Sequence, residues 1–393
     1  MILTGKESIA IKNFGPIKDI VIYDLKKINV FIGESGTGKS TIMKVLAMMR
    51  WIYKMMCVRS YLKISGISNS PFRLHLGNIL AKNGLKPFLN SNTSIHYRNG
   101  EFDIIIKNGK IYLPQKTVNN KDLTIQKIAY ISDKRVMIPD LAAGNVALRH
   151  NMFYLDETFL NFQKAIDAIN STELDYLGVK MKIVKTNGSN RVFISGNENG
   201  TSFDNLPLTS ASSGIQSSVA LHFIMQYFAK YFDIVEAMNS TIIKYLAETD
   251  NLSKFRASTD IGKFPNKVIS VHLEEPELSL FPSNQWGLMK YLIKCCLECK
   301  EADLNLTLAT HSPYIITALN IMSRAFQASE MSDKTEINLP QVNPSEIRAW
   351  EVRRGEIRDI VDEELKIIDG TYLDSISDNY EDLISRFNGI IYG

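Results

Sequence analysis

The chain has 393 residues, of which 45% are hydrophobic, and it carries a formal net charge of +3. A chain of this length holds one large composite domain or about two to three average ones, with enough apolar residues for a sizeable core. The near-neutral charge gives no argument from composition for a nucleic-acid or membrane partner, although a local basic patch is compatible with it. We find no signal peptide and no apolar run near the ~20 residues of a spanning helix, so we expect a cytoplasmic protein.

The N-terminal region predicts three strands and a helix. Alternating residues at 8–13 are interrupted at 14–16, and the alternation resumes at 17–25. The apolar run at 27–32 predicts a short buried strand, and residues 41–57 contain neither Gly nor Pro and predict a helix.

Between that strand and that helix lies a glycine-rich loop. Residues 33–41 read GESGTGKST and fit the phosphate-binding pattern G-x-x-x-x-G-K-[ST] at every fixed position. The glycines let backbone N–H groups turn toward a phosphate, and the helix start adds partial positive charge. We expect Lys39 to reach the outer phosphates and the Ser40 hydroxyl to bind Mg²⁺. The predicted nucleotide-binding residues are Gly33, Glu34, Ser35, Gly36, Thr37, Gly38, Lys39, Ser40 and Thr41.

The middle and the end of the chain predict further strands and helices. Asn-Gly pairs at 99–100 and 108–109 separate three short strand-like runs, which indicates an antiparallel meander. The other predicted elements are strands at 125–131, 179–185, 191–195, 267–273 and 305–309, helices at 156–169 and from 210 to about 249, and a hairpin around Gly355. Four cysteines occur, and we expect Cys295, Cys296 and Cys299 to be core thiols of one helix and not metal ligands.

An acidic pair follows the strand at 268–273. Because nucleotides bind where parallel strands end, Glu274 and Glu275 are placed to serve two purposes. We expect Glu274 to hold the metal and Glu275 to orient and deprotonate the attacking water. His311 follows the next strand, where its imidazole can donate a hydrogen bond to the terminal phosphate.

A second anion-binding helix start is predicted at residues 212–216, which read SSGIQ. One subunit gains nothing obvious from two such helix starts. A head-to-tail dimer explains both, with each ATP between the Lys39 loop of one subunit and the Ser213 loop of the other.

The four motifs at 33–41, 212–216, 274–277 and 310–313 occur in this order and resemble the ABC-type ATPase heads of the SMC and OLD-nuclease lineage. More narrowly, they resemble the bacterial AAA-family ATPases of anti-phage defence operons. The opening residues 11–17, IKNFGPI, also resemble the first strand and turn of that group. The resemblance implies an α/β fold: a P-loop NTPase of the ABC-type ATPase head class with a mixed central sheet, an antiparallel β subdomain and a helical second lobe.

The resemblance also implies ATP hydrolysis that depends on Mg²⁺. Carried over residue by residue, it assigns Lys39, Glu275 and His311 to catalysis, and Ser40 and Glu274 to the metal. It further implies that Ser213, Gly214 and Gln216 bind ATP from the other subunit.

Two positions depart from the family pattern. Ile215 stands where transporter ATPases have a second signature glycine. The glutamine that links nucleotide to the moving lobe has no clear match, with Gln115, Gln126 and the segment 130–135 as candidates.

We expect one composite ABC-type ATPase domain over residues 1–393. Within it we expect an inserted β-meander arm at 58–124, a signature helix and helical lobe at 210–264, and a C-terminal hairpin and helix at 346–393. No D-x-D follows a suitable strand after His311, so we expect no Toprim nuclease domain.

The hypothesis that these observations favour is an ATPase that forms a homodimer or a higher homo-oligomer on ATP. It would control a separate effector, a nuclease or toxin, in anti-phage defence. The alternatives are a DNA-repair or recombination ATPase that binds duplex DNA, a transporter ATPase subunit, and a scaffold that binds nucleotide without turnover.

Overall fold

The structure, a computed structural model, describes residues 3–67, 72–147, 153–186, 189–198, 201–247, 264–331, 337–371 and 373. The helix predicted for the C-terminal segment lies outside these residues.

The secondary-structure elements are numbered in chain order. The strands are β1 (Glu7–Phe14), β2 (Ile17–Ile22), β3 (Ile28–Ile32), β4 (Ser94–Asn99), β5 (Phe102–Lys107), β6 (Lys110–Tyr112), β7 (Thr124–Ile131), β8 (Ser171–Leu174), β9 (Val179–Thr186), β10 (Ser189–Glu198), β11 (Thr201–Pro207), β12 (Asn266–Glu274), β13 (Asp303–Thr310), β14 (Ile347–Arg353), β15 (Glu356–Asp359), β16 (Val361–Asp362) and β17 (Ile367–Ile368). The helices are α1 (Lys39–Ile64), α2 (Leu76–Lys82), α3 (Ile138–Ala143), α4 (Phe153–Ala168), α5 (Ser213–Lys230), α6 (Ile234–Ala247), α7 (Pro282–Glu298) and α8 (Pro313–Met331).

Six strands form the central sheet, in the order β15-β14-β3-β13-β12-β7. All neighbouring pairs are parallel except β14 and β15, which form the hairpin predicted around Gly355. All five residues of β3 are buried, as expected for a continuous apolar run in the middle of a parallel sheet. The carboxyl ends of β3, β13 and β12 therefore meet at one edge of the sheet.

The helix α1 begins two residues earlier than predicted and ends seven residues later, at Ile64. No Gly or Pro interrupts the sequence before Gly66, so nothing in it stops the helix at residue 57. Most of its side chains are buried, including all of its methionines, which pack in the core as flexible apolar residues.

A second, antiparallel sheet has the order β2-β1-β4-β5-β6. The predicted Asn-Gly turns are present, with positive φ at Gly100, Asn108 and Gly109. The meander pairs with β1, so β4, β5 and β6 extend the sheet that the first two strands begin.

The helical lobe differs from the prediction in one respect. The predicted tract from 210 to 249 is two helices, α5 and α6, because the Asp233 carboxylate accepts hydrogen bonds from the Val235 and Glu236 N–H groups and begins a new helix. Beside them lies a four-stranded sheet with the order β11-β10-β9-β8. Its outer strands, β8 and β11, are polar and lack clear alternation, which is why the sequence does not predict them.

The cysteines are free thiols, with Cys57, Cys295 and Cys296 buried and Cys299 half-buried. The prediction of core thiols is confirmed for Cys295 and Cys296, whereas Cys299 lies at the margin of the core. No helix in the described part of the chain is long and apolar enough to cross a membrane.

Candidate functional site

The glycine-rich loop joins the end of β3 to the start of α1. Gly33, Gly36 and Gly38 have φ values of +146°, +79° and +111°, a region that residues with a Cβ rarely adopt. At Gly33 a Cβ would lie 2.3 Å from the Val352 carbonyl oxygen, so β14 also requires glycine there. No side chain caps α1 at Gly38, which leaves its first N–H groups to a ligand.

Lys39 lies inside this loop. Its Nζ donates hydrogen bonds to the carbonyl oxygens of Gly33 and Glu34 over 2.7 and 2.8 Å. Burial lowers the pKa of Lys39 to about 8, and Glu275, Glu277 and Glu34 only partly oppose this effect. An outer phosphate would supply further negative charge to balance the buried ammonium.

Glu274 ends β12 beside the loop. Its Oε1 accepts a hydrogen bond of 2.6 Å from the Tyr130 hydroxyl, which lies 3.5 Å from the Ser40 carbonyl oxygen. Tyr130 therefore contacts both residues that the sequence predicts at the metal. A carboxylate and a hydroxyl are hard oxygen ligands of the kind that Mg²⁺ prefers, and the second Glu274 oxygen accepts no hydrogen bond from the described residues. The chemistry of this pair fits the ion.

Glu275 and His311 face each other across the end of the sheet. Glu275 Oε1 lies 3.8 Å from His311 Nε2, with side chains that are 40% and 34% exposed. Glu275 has φ +44°, which is unusual for a residue with a side chain. Its N–H donates to the Ala309 carbonyl over 2.8 Å, so β13 positions it directly.

Glu277 holds the backbone at His311. Its Oε1 accepts hydrogen bonds of 2.8 Å from the Thr310 hydroxyl and from the His311 N–H. Among the described residues its buried Oε2 has no partner.

Arg135 lies behind the acidic pair. Its guanidinium, in a residue only 1% exposed, donates to the carbonyl oxygens of Glu274 and Glu275 over 2.7 and 2.6 Å and to that of Ser132 over 3.3 Å. Burial lowers its pKa to about 10, and the nearby carboxylates, Glu277 first, oppose that shift.

The second predicted anion site lies at the exposed start of α5. Ser212 precedes α5 without a side-chain cap, and Ser212 and Ser213 are exposed. Gly214 is buried against the Ser279 carbonyl, in the loop that follows the acidic motif. The Gln216 amide donates to the carbonyl oxygens of Thr209 and Ala211, which belong to its own segment.

The structure thus gathers most of the predicted residues at one edge of the sheet. The register sets Glu274 opposite Ala309 and Thr310 opposite Ile32, so Gly33, Glu275 and His311 follow three adjacent strand ends. The contacts of Ser213, Gly214 and Gln216 given above are with residues outside the phosphate loop.

Neither glutamine proposed as the link to the moving lobe is near the acidic pair. Gln115 contacts Asp103 and Glu101 in the meander. Gln126 lies five residues before Ile131 on β7, which is about 16 Å along a strand. The segment 130–135, also proposed from the sequence, does reach the site through Tyr130 and Arg135.

The sequence assigns no individual role to Glu277, Tyr130 or Arg135. Glu277 belongs to the acidic motif, so the sequence places it at the site. The sequence does not identify its hydrogen-bond partners, Thr310 and His311. Tyr130 and Arg135 lie more than 135 residues before the glutamates they bind, and no local pattern reports such a contact.

No protein-family model and no curated protein matches the chain. Among solved structures, an SMC head bound to the C-winged helix domain of ScpA is 10% identical, covering 90% of this chain and 96% of that one with a TM-score of 0.35. An ATP-binding cassette in a dimeric post-hydrolysis state with ADP and Pi is 10% identical, covering 89% and 97% with a TM-score of 0.31. The recombination mediator protein RecF is 11% identical, covering 90% and 97% with a TM-score of 0.35. The P-loop α/β fold assigned to this chain follows from its own strand order and loop geometry, as the sequence predicts.

Proposed function

We propose that the chain binds ATP at the carboxyl edge of the central sheet and hydrolyses it. The observation that carries this proposal is the pairing of Glu275 with His311, 3.8 Å apart and both accessible to solvent. Glu275 follows β12 and His311 follows β13, the strand that pairs with β3, and β3 leads into the phosphate loop. A base and a hydrogen-bond donor then lie beside the position of the terminal phosphate.

The loop residues 33–41 would bind the phosphates through backbone N–H groups, and Lys39 would exchange its two carbonyl partners for the outer phosphates. Ser40 and Glu274 would hold Mg²⁺, which supplies charge neutralisation at the phosphates when bound.

Glu275 would act as the general base. It takes a proton from a water molecule while the water oxygen attacks the terminal phosphorus. The bond from that phosphorus to the bridging oxygen breaks, and ADP and inorganic phosphate are released. His311 would donate a hydrogen bond to the terminal phosphate. The Glu277 carboxylate fixes the His311 backbone, which helps to position the imidazole.

We also propose that ATP joins two copies head to tail. The support is the start of α5, where Ser213 is exposed and the helix has no side-chain cap. In a dimer, Ser213 and Gly214 of one subunit would approach the ATP held by the other. Gln216 would act indirectly, since its amide already holds the turn before α5.

The remaining parts of the proposal follow from the motif resemblance. The chain would form one composite head domain in the cytoplasm, with an inserted arm that begins after α1 ends at Ile64 and not at residue 58. The ATP-dependent dimer would control a separate effector, a nuclease or toxin, in anti-phage defence.

The test is ATP turnover by the wild type, by Glu275→Gln and by Glu301→Gln, which removes an exposed carboxylate outside the site. Loss of a general base should slow phosphate release by about 10²–10⁴-fold, while nucleotide binding and the control variant stay unchanged. Light scattering with ATP should find a trapped dimer in Glu275→Gln. Full turnover by Glu275→Gln would remove Glu275 from the mechanism.

A further inference from the structure

The contacts of Arg135 point to a role in the reaction. Its guanidinium makes its short hydrogen bonds to backbone carbonyls, and the two shortest are to the adjacent residues Glu274 and Glu275. A carboxylate is the usual partner of a buried arginine, because it neutralises the charge. Here the cation instead holds the backbone of the two residues assigned to the metal and to the water.

A role in packing alone does not account for this arginine. Burying a guanidinium is costly, and an apolar side chain of similar size would fill the space without that cost. The Arg135 Nε is buried and has no hydrogen-bond partner among the described residues. Burial of this side chain therefore also leaves one donor unsatisfied. The carboxylates of Glu274, Glu275 and Glu277 favour its charged form. A cation at this position therefore offsets the repulsion among the three acids of the motif.

Glu275 is the residue that most needs such support. Its φ of +44° lies in the left-handed region, which the chain maintains only where the surroundings impose it. Two contacts fix the peptide groups on either side of the Glu275 Cα: the Glu275 N–H donates to the Ala309 carbonyl, and the Glu275 carbonyl accepts from Arg135. Leu278 N–H adds a longer bond to the same carbonyl. Without the Arg135 contact, only the bonds with Ala309 and Leu278 hold the strained backbone, and we expect the Glu275 carboxylate to shift.

We propose that Arg135 is a positioning residue for ATP hydrolysis: by holding the Glu274 and Glu275 carbonyls, it keeps the Glu275 carboxylate aimed at the attacking water. This inference rests on the proposed function. It assigns Arg135 no contact with ATP, so its loss affects the rate of the chemical step and not the binding of nucleotide. A displacement of about 1 Å at a reacting group costs about 10²-fold in rate.

The experiment is a double-mutant cycle between Arg135→Met and Glu275→Gln, with Arg135→Lys as the conservative variant and Lys134→Met as a control. Lys134 is the exposed cation next in the chain. We expect Arg135→Met to lower kcat about 10²-fold, with KM and ADP affinity changed less than about threefold. Arg135→Lys should recover part of kcat, since an ammonium reaches one carbonyl but not both. In the Glu275→Gln background, Arg135→Met should cause no further loss, because the group it positions is gone.

Three outcomes would overturn the inference while leaving the proposed function intact, provided that Glu275→Gln itself is slow. These are full kcat in Arg135→Met, a loss of nucleotide affinity as large as the loss of kcat, or losses that multiply in the double variant. If thermal melting shows that Arg135→Met does not fold, the same cycle is carried out with Arg135→Lys, and the same criteria apply. Full turnover by Glu275→Gln would instead refute the proposed function.

Discussion

Gly214 packs so closely on Ser279 that a Cβ at position 214 would lie 2.6 Å from the Ser279 carbonyl oxygen. The first turn of α5 thus rests on the loop that follows the acidic motif. The Ser217 hydroxyl, which lies 3.2 Å from the Leu278 carbonyl oxygen, strengthens the same contact. A change in the position of α5 is therefore felt directly at this loop.

The first prediction concerns this contact. Gly214→Ala should push α5 away from the loop, because a backbone oxygen cannot yield as the end of a flexible side chain can. We expect a loss of about 1–3 kcal/mol in the free energy of unfolding, as for other overpacked sites, and weaker dimer formation with ATP. Urea denaturation and light scattering measure the two effects. Gly77→Ala is the control, since its Cβ would meet nothing within 4 Å; equal stability of the two variants would contradict the prediction.

The second prediction concerns the buried ion pair of Glu7 and Arg50. Arg50 donates two hydrogen bonds of 2.7 and 2.8 Å to the Glu7 carboxylate, and its side chain is only 2% exposed. Burial opposes the charge on Glu7, but Arg50, with smaller contributions from Tyr97 and Lys6, outweighs burial and lowers the Glu7 pKa. Glu7→Gln should lower the free energy of unfolding by about 3 kcal/mol, because it leaves the guanidinium buried without a counter-charge.

The control is Asp19→Asn, which breaks the exposed Lys12–Asp19 pair and should change stability by less than about 1 kcal/mol. The pH dependence has a definite sign. Since the folded pKa of Glu7 lies below its usual value of 4.5, the contribution of the pair is present above that pH and is lost as the pH falls. A Glu7→Gln variant as stable as Asp19→Asn would contradict the assignment.

These contacts also show what the sequence could and could not predict. The phosphate loop and the acidic motif lie within a few consecutive residues, so local spacing identified them and the strands that precede them. Arg50 binds Glu7, which is 43 residues away in the sequence, and Arg135 binds Glu275, which is 140 residues away. Such pairs depend on how the sheets and helices pack, and an arginine in a helix or a turn looks the same in the sequence whether it is exposed or buried.

The secondary structure shows the same difference between features set by local sequence and features set by long-range packing. The Asn-Gly turns of the meander are predictable because Asn and Gly tolerate positive φ, which Gly100, Asn108 and Gly109 adopt. That the meander joins the sheet of β1 is not predictable, since strand pairing between residues such as Lys12 and Ser94 leaves no local pattern in the sequence. The break between α5 and α6 depends on one capping aspartate within an otherwise continuous helical pattern.

The third prediction concerns the pKa of Lys39. Burial lowers it to about 8 in the free protein, and phosphate oxygens beside the ammonium should raise it again in the complex. Binding of ATP above this pH must therefore take up a proton, and affinity should fall as the pH rises toward 9.

Calorimetry at pH 8.5 in two buffers of different ionisation enthalpy measures this uptake directly. Lys39→Arg is the matched control: its guanidinium stays protonated, so the apparent binding enthalpy should not depend on the buffer. Equal enthalpies in the two buffers for the wild type would show that Lys39 is already fully charged without ATP.

The fourth prediction tests the head-to-tail dimer by mixing two inactive variants. Lys39→Ala removes the lysine of the phosphate loop, and Ser213→Arg blocks the exposed start of α5. If each ATP lies between the loop of one subunit and the α5 start of the other, a mixed dimer has one site with both defects and one intact site. Random mixing should then restore up to about a quarter of wild-type turnover, because half of the dimers are mixed and each has one working site of two.

If hydrolysis uses only residues of a single subunit, each subunit of the mixture keeps its own defect and turnover stays at the level of the separate variants. Lys39→Ala mixed with Glu275→Gln is the control, since both residues act within one subunit and the intact combination cannot form.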